Sequence, residues 1–233
     1  MSEARRDGRL GIGIVGAGRV GPVLGSALAG AGHAITGISA VSEESRERAE
    51  AMLPGVPVLE VPEVVRRSEL VLFAIPGEEL PGLVRGLTET GAWQPGQLAV
   101  HTAAEHGYGV FAPALATGVI PLALHPALVF TGTSLDLTRL AESTIAVTAP
   151  APVLPIGQAL AVEMGAEPVV VAEQDRPAYA EALAAAREFS GAVVRQALEA
   201  LDGIGLEQPH RVIGGLVRAS VEEALARAVP HVE

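Results

Sequence analysis

The sequence predicts an α/β protein with a doubly wound, mostly parallel β-sheet, followed by a smaller helical carboxyl-terminal domain. Three observations indicate this fold class. Short apolar runs alternate with helix-like segments through the first two-thirds of the 233 residues, as in βαβ units. A glycine-rich turn joins the first run to the first helix, and the pattern beyond residue 150 becomes helical. We therefore expect domains over residues 1–150 and 151–233.

The first predicted strand, Leu10–Val15, leads into the motif Gly-Ala-Gly-Arg-Val-Gly, and a helix then runs to Ala31. In such a motif the first glycine allows a tight turn, the second lets the backbone approach phosphates, and the third lets the helix pack closely on the strand. The helix start adds free N–H groups and a positive dipole end. This context is typical of a Rossmann domain that binds a dinucleotide. The predicted cofactor-binding residues are Gly16, Ala17, Gly18, Arg19, Val20 and Gly21.

The end of the second predicted strand, Ala34–Ser39, bears on the choice of cofactor. An NAD site usually places an acidic residue there to bind the ribose hydroxyls, and this chain has none. Ser39, Ser42 and Arg46 are instead candidates for contacting a 2′-phosphate, which favours NADP while leaving NAD possible. The alternative is that Ser42 only caps the next helix and that Arg46 is solvated.

The remaining elements follow from apolar runs and helical periodicity. Small residues on the last two helices suggest close packing against a second copy, so we expect a homodimer. The predicted strands are Val56–Leu59, Leu70–Ile75, Leu98–Thr102, Val119–Leu124, Thr144–Thr148 and Pro168–Val171, and the predicted helices after residue 150 are Pro155–Gly165, Arg176–Leu201 and Gln208–Val229.

Ligands of open α/β sheets bind beyond the carboxyl ends of the strands, so the residues that follow each strand are candidates for chemistry. We expect Ile75, Pro76, His101 and Thr102 to contact the cofactor. Histidine is the commonest general acid or base near neutral pH. His125 is the first candidate for the proton donor or substrate-orienting group, and His101 is the second.

Two further arrangements involve acidic residues. Glu188 is a third catalytic candidate, reached from the carboxyl-terminal helices. A metal site formed by His101, Glu105 and His106 is conceivable, but their spacing matches no established metal motif. No metal is therefore predicted.

Composition excludes several classes of function. The net charge of −11 argues against a nucleic-acid-binding surface. The absence of lysine excludes Schiff-base chemistry, and the absence of cysteine excludes disulfides and thiolate catalysis. Neither a signal peptide nor a membrane span is predicted, so we expect a cytoplasmic protein without membrane or nucleic-acid partners.

These motifs together resemble a known family. The glycine motif, Phe73-Ala74-Ile75-Pro76, His101-Thr102 with His106-Gly107, and Ala123–Pro126 with Phe130–Thr133 resemble Rossmann-like proteins that carry a DUF2520 domain. That family lies in the 6-phosphogluconate-dehydrogenase-like superfamily. The resemblance implies NAD(P) binding, a helical dimerisation domain and an oxidoreductase role. In the related prephenate dehydrogenases a His-Pro element supplies the catalytic histidine, which corresponds to His125.

The substrate half departs from the family pattern. Relatives usually carry serine where this chain has Ala103, histidine where it has Ala180, and asparagine where it has Glu188. The first functional hypothesis is an NADP-preferring oxidoreductase acting on a small polar substrate. The alternatives are a non-catalytic nucleotide-binding sensor or partner subunit, and a reductase that couples NADP to the deazaflavin F420.

Overall fold

A computed structural model describes residues 9–228 and contains one seven-stranded sheet in the order β2-β1-β3-β4-β5-β6-β7. The strands are β1 (Gly11–Val15), β2 (Ala34–Ser39), β3 (Leu70–Phe73), β4 (Leu98–His101), β5 (Ile120–Pro126), β6 (Thr144–Thr148) and β7 (Glu167–Val170). The helices are α1 (Gly21–Gly30), α2 (Glu43–Met52), α3 (Val61–Arg66), α4 (Leu80–Glu89), α5 (Leu135–Ala141), α6 (Leu154–Glu163), α7 (Arg176–Gly203) and α8 (Pro209–Ala228). Short 3-10 helices cover Tyr108–Thr117 and Glu173–Asp175.

The order and direction of the strands confirm the predicted fold class. Strands β1 to β5 are parallel, β6 runs antiparallel to β5, and β7 is parallel to β6. The chain crosses from β1 to β2 on one side and then returns to place β3 on the other side of β1. This reversal leaves a crevice at the carboxyl ends of β1 and β3, which is where open α/β sheets bind ligands.

Side-chain alternation along the strands fills two hydrophobic layers, one on each face of the sheet. Leu70 and Leu72 point to the layer that includes residues of α1 and α6, whereas Val71 and Phe73 point to the layer that includes residues of α4. Strands buried on both faces are continuously apolar, as the runs in the sequence indicated. The second layer contains an aromatic group in which the Phe73 ring centre lies 5.8 Å from that of Trp93 and 5.7 Å from that of Phe111.

One predicted strand is wrong. The segment Val56–Leu59 forms only a single parallel bridge, between Val58 and Ile38. The Ile38 N–H donates to the Pro57 carbonyl, and the Leu59 N–H donates to the Ile38 carbonyl. Because Pro57 has no N–H and α3 begins at Val61, the segment does not extend into a ladder.

The first compact unit extends to Ala180, and a second begins at Glu181. Strands β6 and β7 continue the sheet within the first unit. The domain boundary expected at residue 150 stays a prediction. In the second unit α8 has no buried residue. The exposed apolar residues of this unit are Phe189, Val193, Ile204, Val212, Leu216, Val221 and Leu225.

The predicted end of the last helix at Val229 lies outside the described residues. Within residues 9–228, no helix has both the length and the apolar character that crossing a bilayer requires.

Candidate functional site

The glycine loop begins where β1 ends, at the crevice between β1 and β3. Gly16 has a φ of +106°, and a Cβ there would lie 2.6 Å from the carbonyl oxygen of Ala74. Its N–H donates to Ser39 Oγ at 3.0 Å. A Cβ on Gly21 would overlap the carbonyl oxygen of Gly16. The chain's own packing therefore requires glycine at both ends of the loop.

Gly18 differs from both of these glycines. A Cβ at Gly18 would meet no protein atom within 4 Å, and its φ lies outside the left-handed region. Neither strain nor packing explains glycine here, whereas close approach of a ligand to the backbone does. The first turn of α1 contains no acidic residue, so its free N–H groups and dipole end favour an anion. The loop fits the pyrophosphate of a dinucleotide.

Two residues that the sequence analysis missed support this loop. The Arg48 Nη1 donates to the Ala17 carbonyl at 3.2 Å. The buried Asp136 carboxylate accepts hydrogen bonds from the N–H groups of Thr131 and Gly132 at 2.7 and 2.8 Å. A Cβ on Gly132 would lie 3.2 Å from Arg19 Cα, so this turn packs on the loop.

The electrostatics of Asp136 favour its charged form. Burial acts to raise the pKa of this carboxyl, but hydrogen bonds from Gly132 and Thr131 outweigh burial and hold the pKa below its ordinary value. Asp136 could have been noticed in the sequence from its spacing to Thr133, because Thr-x-x-Asp is a pattern typical of the start of a helix, here α5.

The three residues expected to contact a 2′-phosphate near the end of β2 have different partners in the structure. Ser39 Oγ is bound to the glycine loop. Ser42 caps α2, since its Oγ accepts from the Ser45 N–H at 3.1 Å and its own N–H donates to Ser45 Oγ at 3.0 Å. Arg46 is exposed and lines a groove of about 710 Å³ together with Arg67. The structure thus confirms the alternative in which Ser42 caps the helix. Of the three residues, Arg46 is the one whose side chain remains available to contact a phosphate.

Hydrogen bonds tie the loops after β3 and β4 to each other. The Ala74 N–H donates to the Val15 carbonyl at 2.8 Å, and the Thr102 N–H donates to the Phe73 carbonyl at 3.1 Å. Ile75 and the exposed Pro76 follow directly after Ala74, at the same crevice as the glycine loop. The His106 Nε2 donates to the Gly77 carbonyl at 3.0 Å. The residues predicted to contact a cofactor here are held at the carboxyl edge of the sheet.

The catalytic and cofactor roles predicted for His101 are not supported by its surroundings. The side chain is fully buried. Its Nδ1 accepts from the Ala103 N–H at 3.2 Å and its Nε2 donates to the Gly107 carbonyl at 2.9 Å. Burial, the largest cause, lowers its pKa to about 3. His101 is a neutral structural residue that positions the loop after β4.

The same geometry rules out the metal-site alternative that includes His101, Glu105 and His106. Both ring nitrogens of His101 are engaged within the protein. Among the described residues, no group of three or more His, Cys, Asp or Glu side chains is arranged to hold a metal ion.

His125 is the histidine that remains available for chemistry. It lies near the carboxyl end of β5 and is half-buried. Its Nδ1 forms a hydrogen bond with the Tyr179 hydroxyl at 2.9 Å. Its Nε2 has no hydrogen-bond partner among the described residues and is not fully enclosed. Burial, followed by the positive charge of Arg176, lowers its pKa to about 4, so the imidazole is neutral near pH 7.

Arg176, which the sequence analysis also missed, is fully buried beside this histidine. Its Nε donates to Thr148 Oγ1 at 2.7 Å, and its Nη2 donates to the carbonyls of Ala123 and Ala146 at 3.1 and 3.0 Å. Its Nη1 is buried without a partner. The guanidinium carbon lies 5.7 Å from the centre of the Tyr179 ring.

The third catalytic candidate, Glu188, lies on α7 within the second unit and is exposed. Its catalytic role stays a prediction.

Family models account for most of the chain. The model of a Rossmann-like domain matches residues 1–126, and the model of DUF2520, a domain of unknown function, matches residues 143–232. A search of curated proteins finds no match.

Solved structures share the fold at low sequence identity. A Bacteroides fragilis protein provisionally assigned as an NADP oxidoreductase has a TM-score of 0.74 at 19% identity, over 92% of this chain and 80% of that chain. The 1-pyrroline-5-carboxylate reductase of Streptococcus pyogenes has a TM-score of 0.69 at 18% identity, over 96% and 82%. The Plasmodium falciparum pyrroline carboxylate reductase with NADP bound has a TM-score of 0.65 at 12% identity, over 95% and 80%. The two family models, joined in this order on one chain, establish that the protein belongs to the Rossmann-like family with a carboxyl-terminal DUF2520 domain.

Proposed function

We propose that this protein is an NAD(P)-dependent oxidoreductase that prefers NADP and transfers a hydride to or from a small polar substrate. The observation that carries the proposal is the open backbone at Gly18, placed at the crevice between β1 and β3. The names of the similar structures add support, because one is a reductase with NADP bound.

The preference for NADP rests on the groove at the end of β2. Arg46 and Arg67 both line it, and no acidic residue stands at the end of the strand to repel a 2′-phosphate. Glu60 and Glu63 also line the groove, and Glu63 is paired with Arg66 and Arg67. Because Arg67 is engaged by Glu63, we assign the contact with the phosphate to Arg46.

A titration with NADPH and NADH tests this preference. Arg46→Ala is expected to weaken NADPH binding about tenfold, which corresponds to the loss of one hydrogen bond to a charged group. NADH binding is expected to change little. Arg85→Ala is the matched control, because Arg85 is exposed on α4, away from the groove. Equal losses for both nucleotides would contradict the proposed phosphate contact.

We assign proton transfer in the proposed reaction to His125. When bound, the nicotinamide supplies or accepts the hydride. His125 is neutral near pH 7, so in substrate oxidation its ring accepts the hydroxyl proton, and in reduction it orients the carbonyl or imine by a hydrogen bond. Tyr179 fixes the ring through Nδ1 and leaves Nε2 for the substrate.

A screen of carbonyl and imine compounds with NADPH, monitored by loss of the reduced cofactor, tests the enzymatic part. His125→Gln is expected to lower turnover at least a hundredfold while NADPH binding is retained. Full turnover in this variant would refute the role of His125. Tight NADPH binding without turnover on any compound would favour the non-catalytic sensor.

We also propose that the second unit forms a homodimer. Its apolar residues, including Phe189 and Leu216, are exposed within one copy of the chain, and contiguous apolar surface marks an interaction site. Phe189→Glu is expected to convert a dimeric mass in light scattering to a monomeric one. A monomeric mass of the unaltered protein would refute this proposal.

A further inference from the structure

Among the described residues no carboxylate bonds to the fully buried guanidinium of Arg176, and Glu173 favours its charge only at longer range. The hydrogen bonds of Arg176 go to a hydroxyl and two carbonyl groups, and Nη1 has none. Arginine remains charged in proteins, and burying an unpaired charge is costly. Among the described residues no carboxylate lies within ion-pair distance of Arg176. The oxygens of nearby Glu173 are occupied by the N–H groups of Tyr108 and Gly109, at 2.9 and 2.8 Å.

The unpaired cation and the available histidine belong to one cluster. Arg176 donates to the carbonyl of Ala123, which lies two residues before His125 on β5, so the guanidinium is bonded to the strand that carries the histidine. Tyr179 connects the two groups, because its ring lies beside the guanidinium and its hydroxyl bonds to His125. The cluster thus combines a cation with an unsatisfied Nη1 and a histidine with a free ring nitrogen, two groups that bind anions.

We propose that Arg176 and His125 form the recognition site for a carboxylate of the substrate, so that the substrate is a small organic acid oxidised or reduced next to its carboxylate. This inference rests on the proposed function, since it names the substrate class of the same site. Arg176 supplies the counter-charge and a hydrogen bond from Nη1, and His125 faces the reacting carbon. Because Nη1 is enclosed in the present conformation, the contact requires a rearrangement of the side chains that cover it.

The charge of such a ligand also changes the titration of His125, which gives the site a measurable signal. The groups that face this imidazole are Arg176 and Tyr179 from α7 and His101 from β4. Of these only Arg176 is charged near pH 7, and it disfavours a proton on His125. A bound carboxylate offsets that repulsion, so binding of the acid raises the pKa of His125, while burial still keeps the ring neutral near pH 7.

The test uses the full chain without cofactor and measures the His125 ring signal by NMR, assigned with the His125→Gln variant. The probes are acetate, acetamide as its neutral analogue, and inorganic phosphate. Acetate is expected to shift the signal and raise the pKa of His125 by about 1, the lower end of the effect of an opposite charge at close range. Acetamide is expected to leave both the ring signal and the pKa of His125 unchanged.

Variants separate recognition from folding. Arg176→Met is expected to weaken the acetate response at least tenfold. Arg176→Lys, which keeps the charge, is expected to retain part of the response and serves if the methionine variant does not fold. Tyr179→Phe is expected to retain the response to acetate, because Arg176 and His125 Nε2 both remain. Loss of the response in Tyr179→Phe but not in Arg176→Met would overturn the proposal.

A separate NADPH titration distinguishes the two proposals. NADPH binding with no response to acetate overturns the carboxylate site and leaves the proposed function intact. A response to acetate without NADPH binding supports the carboxylate site and refutes the proposed function. A response to phosphate that exceeds the acetate response overturns the carboxylate assignment in favour of a phosphorylated substrate.

Discussion

The contrast between Gly18 and Gly21 gives a sharp test of the cofactor site. A methyl group at Gly18 meets no protein atom, whereas one at Gly21 overlaps the Gly16 carbonyl. Gly18→Ala should change the free energy of unfolding by less than about 1 kcal/mol, and in the stabilising direction if alanine restricts the unfolded chain. Gly21→Ala should lower the free energy of unfolding by about 1–3 kcal/mol, because the added methyl group overpacks the site.

Cofactor affinity should show a different order. The methyl group of Gly18→Ala occupies the space in which phosphate oxygens approach the backbone, so the Kd for NADPH should rise at least tenfold, or about 1.4 kcal/mol. Stability is measured by thermal unfolding with circular dichroism, and binding by the enhancement of nicotinamide emission. The reasoning is refuted if Gly18→Ala binds NADPH as the unaltered protein does, or if it is destabilised as much as Gly21→Ala.

Three further predictions concern the groups around the site. Asp136→Asn should lower the free energy of unfolding by about 1–3 kcal/mol at pH 7; because the pKa of Asp136 is lowered on folding, urea titrations should show this deficit disappearing as the pH falls below about 4. His101→Leu should lower the free energy of unfolding by about 1–3 kcal/mol for each of the two backbone groups it leaves unpaired, the Ala103 N–H and the Gly107 carbonyl. Because folding lowers the pKa of His101 to about 3, the unaltered protein should lose stability as the pH falls from 6.5 towards 3, and the leucine variant should lose less over that window; an equal loss would exclude His101 as a cause. Arg48→Met should raise the Kd for NADPH about threefold to tenfold through the lost bond to Ala17, and an unchanged Kd would show that this bond does not support the loop.

The sequence identified the parts of the molecule that depend on local pattern. Apolar runs and the glycine motif predicted the parallel strands and the loop at the crevice, because these follow from chain direction, turn geometry and burial on both faces. The helix cap at Ser42 is also local, and it was one of the alternatives considered. Val56–Leu59 failed as a strand because β2 offers it a partner at one residue only.

The histidines and Arg176 could not be assigned from sequence because their roles depend on tertiary contacts. His101 and His125 both lie near the carboxyl ends of apolar strands. The Phe111 ring on the 3-10 helix packs 5.6 Å from the His101 ring and closes that position. Arg176 lies between the exposed Asp175 and Pro177, a setting typical of a surface helix start. Its guanidinium bonds to groups of both β5 and β6, and an apolar run does not reveal which strands pair or in which direction.

The second hydrophobic layer, which contains the aromatic group of Phe73, Trp93 and Phe111, has a practical consequence for optical experiments. Trp93 is the single tryptophan of the chain, it is buried, and its Nε1 donates to Thr88 Oγ1 at 3.0 Å. Its neighbour Phe111 also contacts the ring of His101. Tryptophan fluorescence of this protein therefore comes from one known position. A shift of the emission maximum to longer wavelength at low pH would mark the opening of this layer when His101 takes up a proton, without any introduced label.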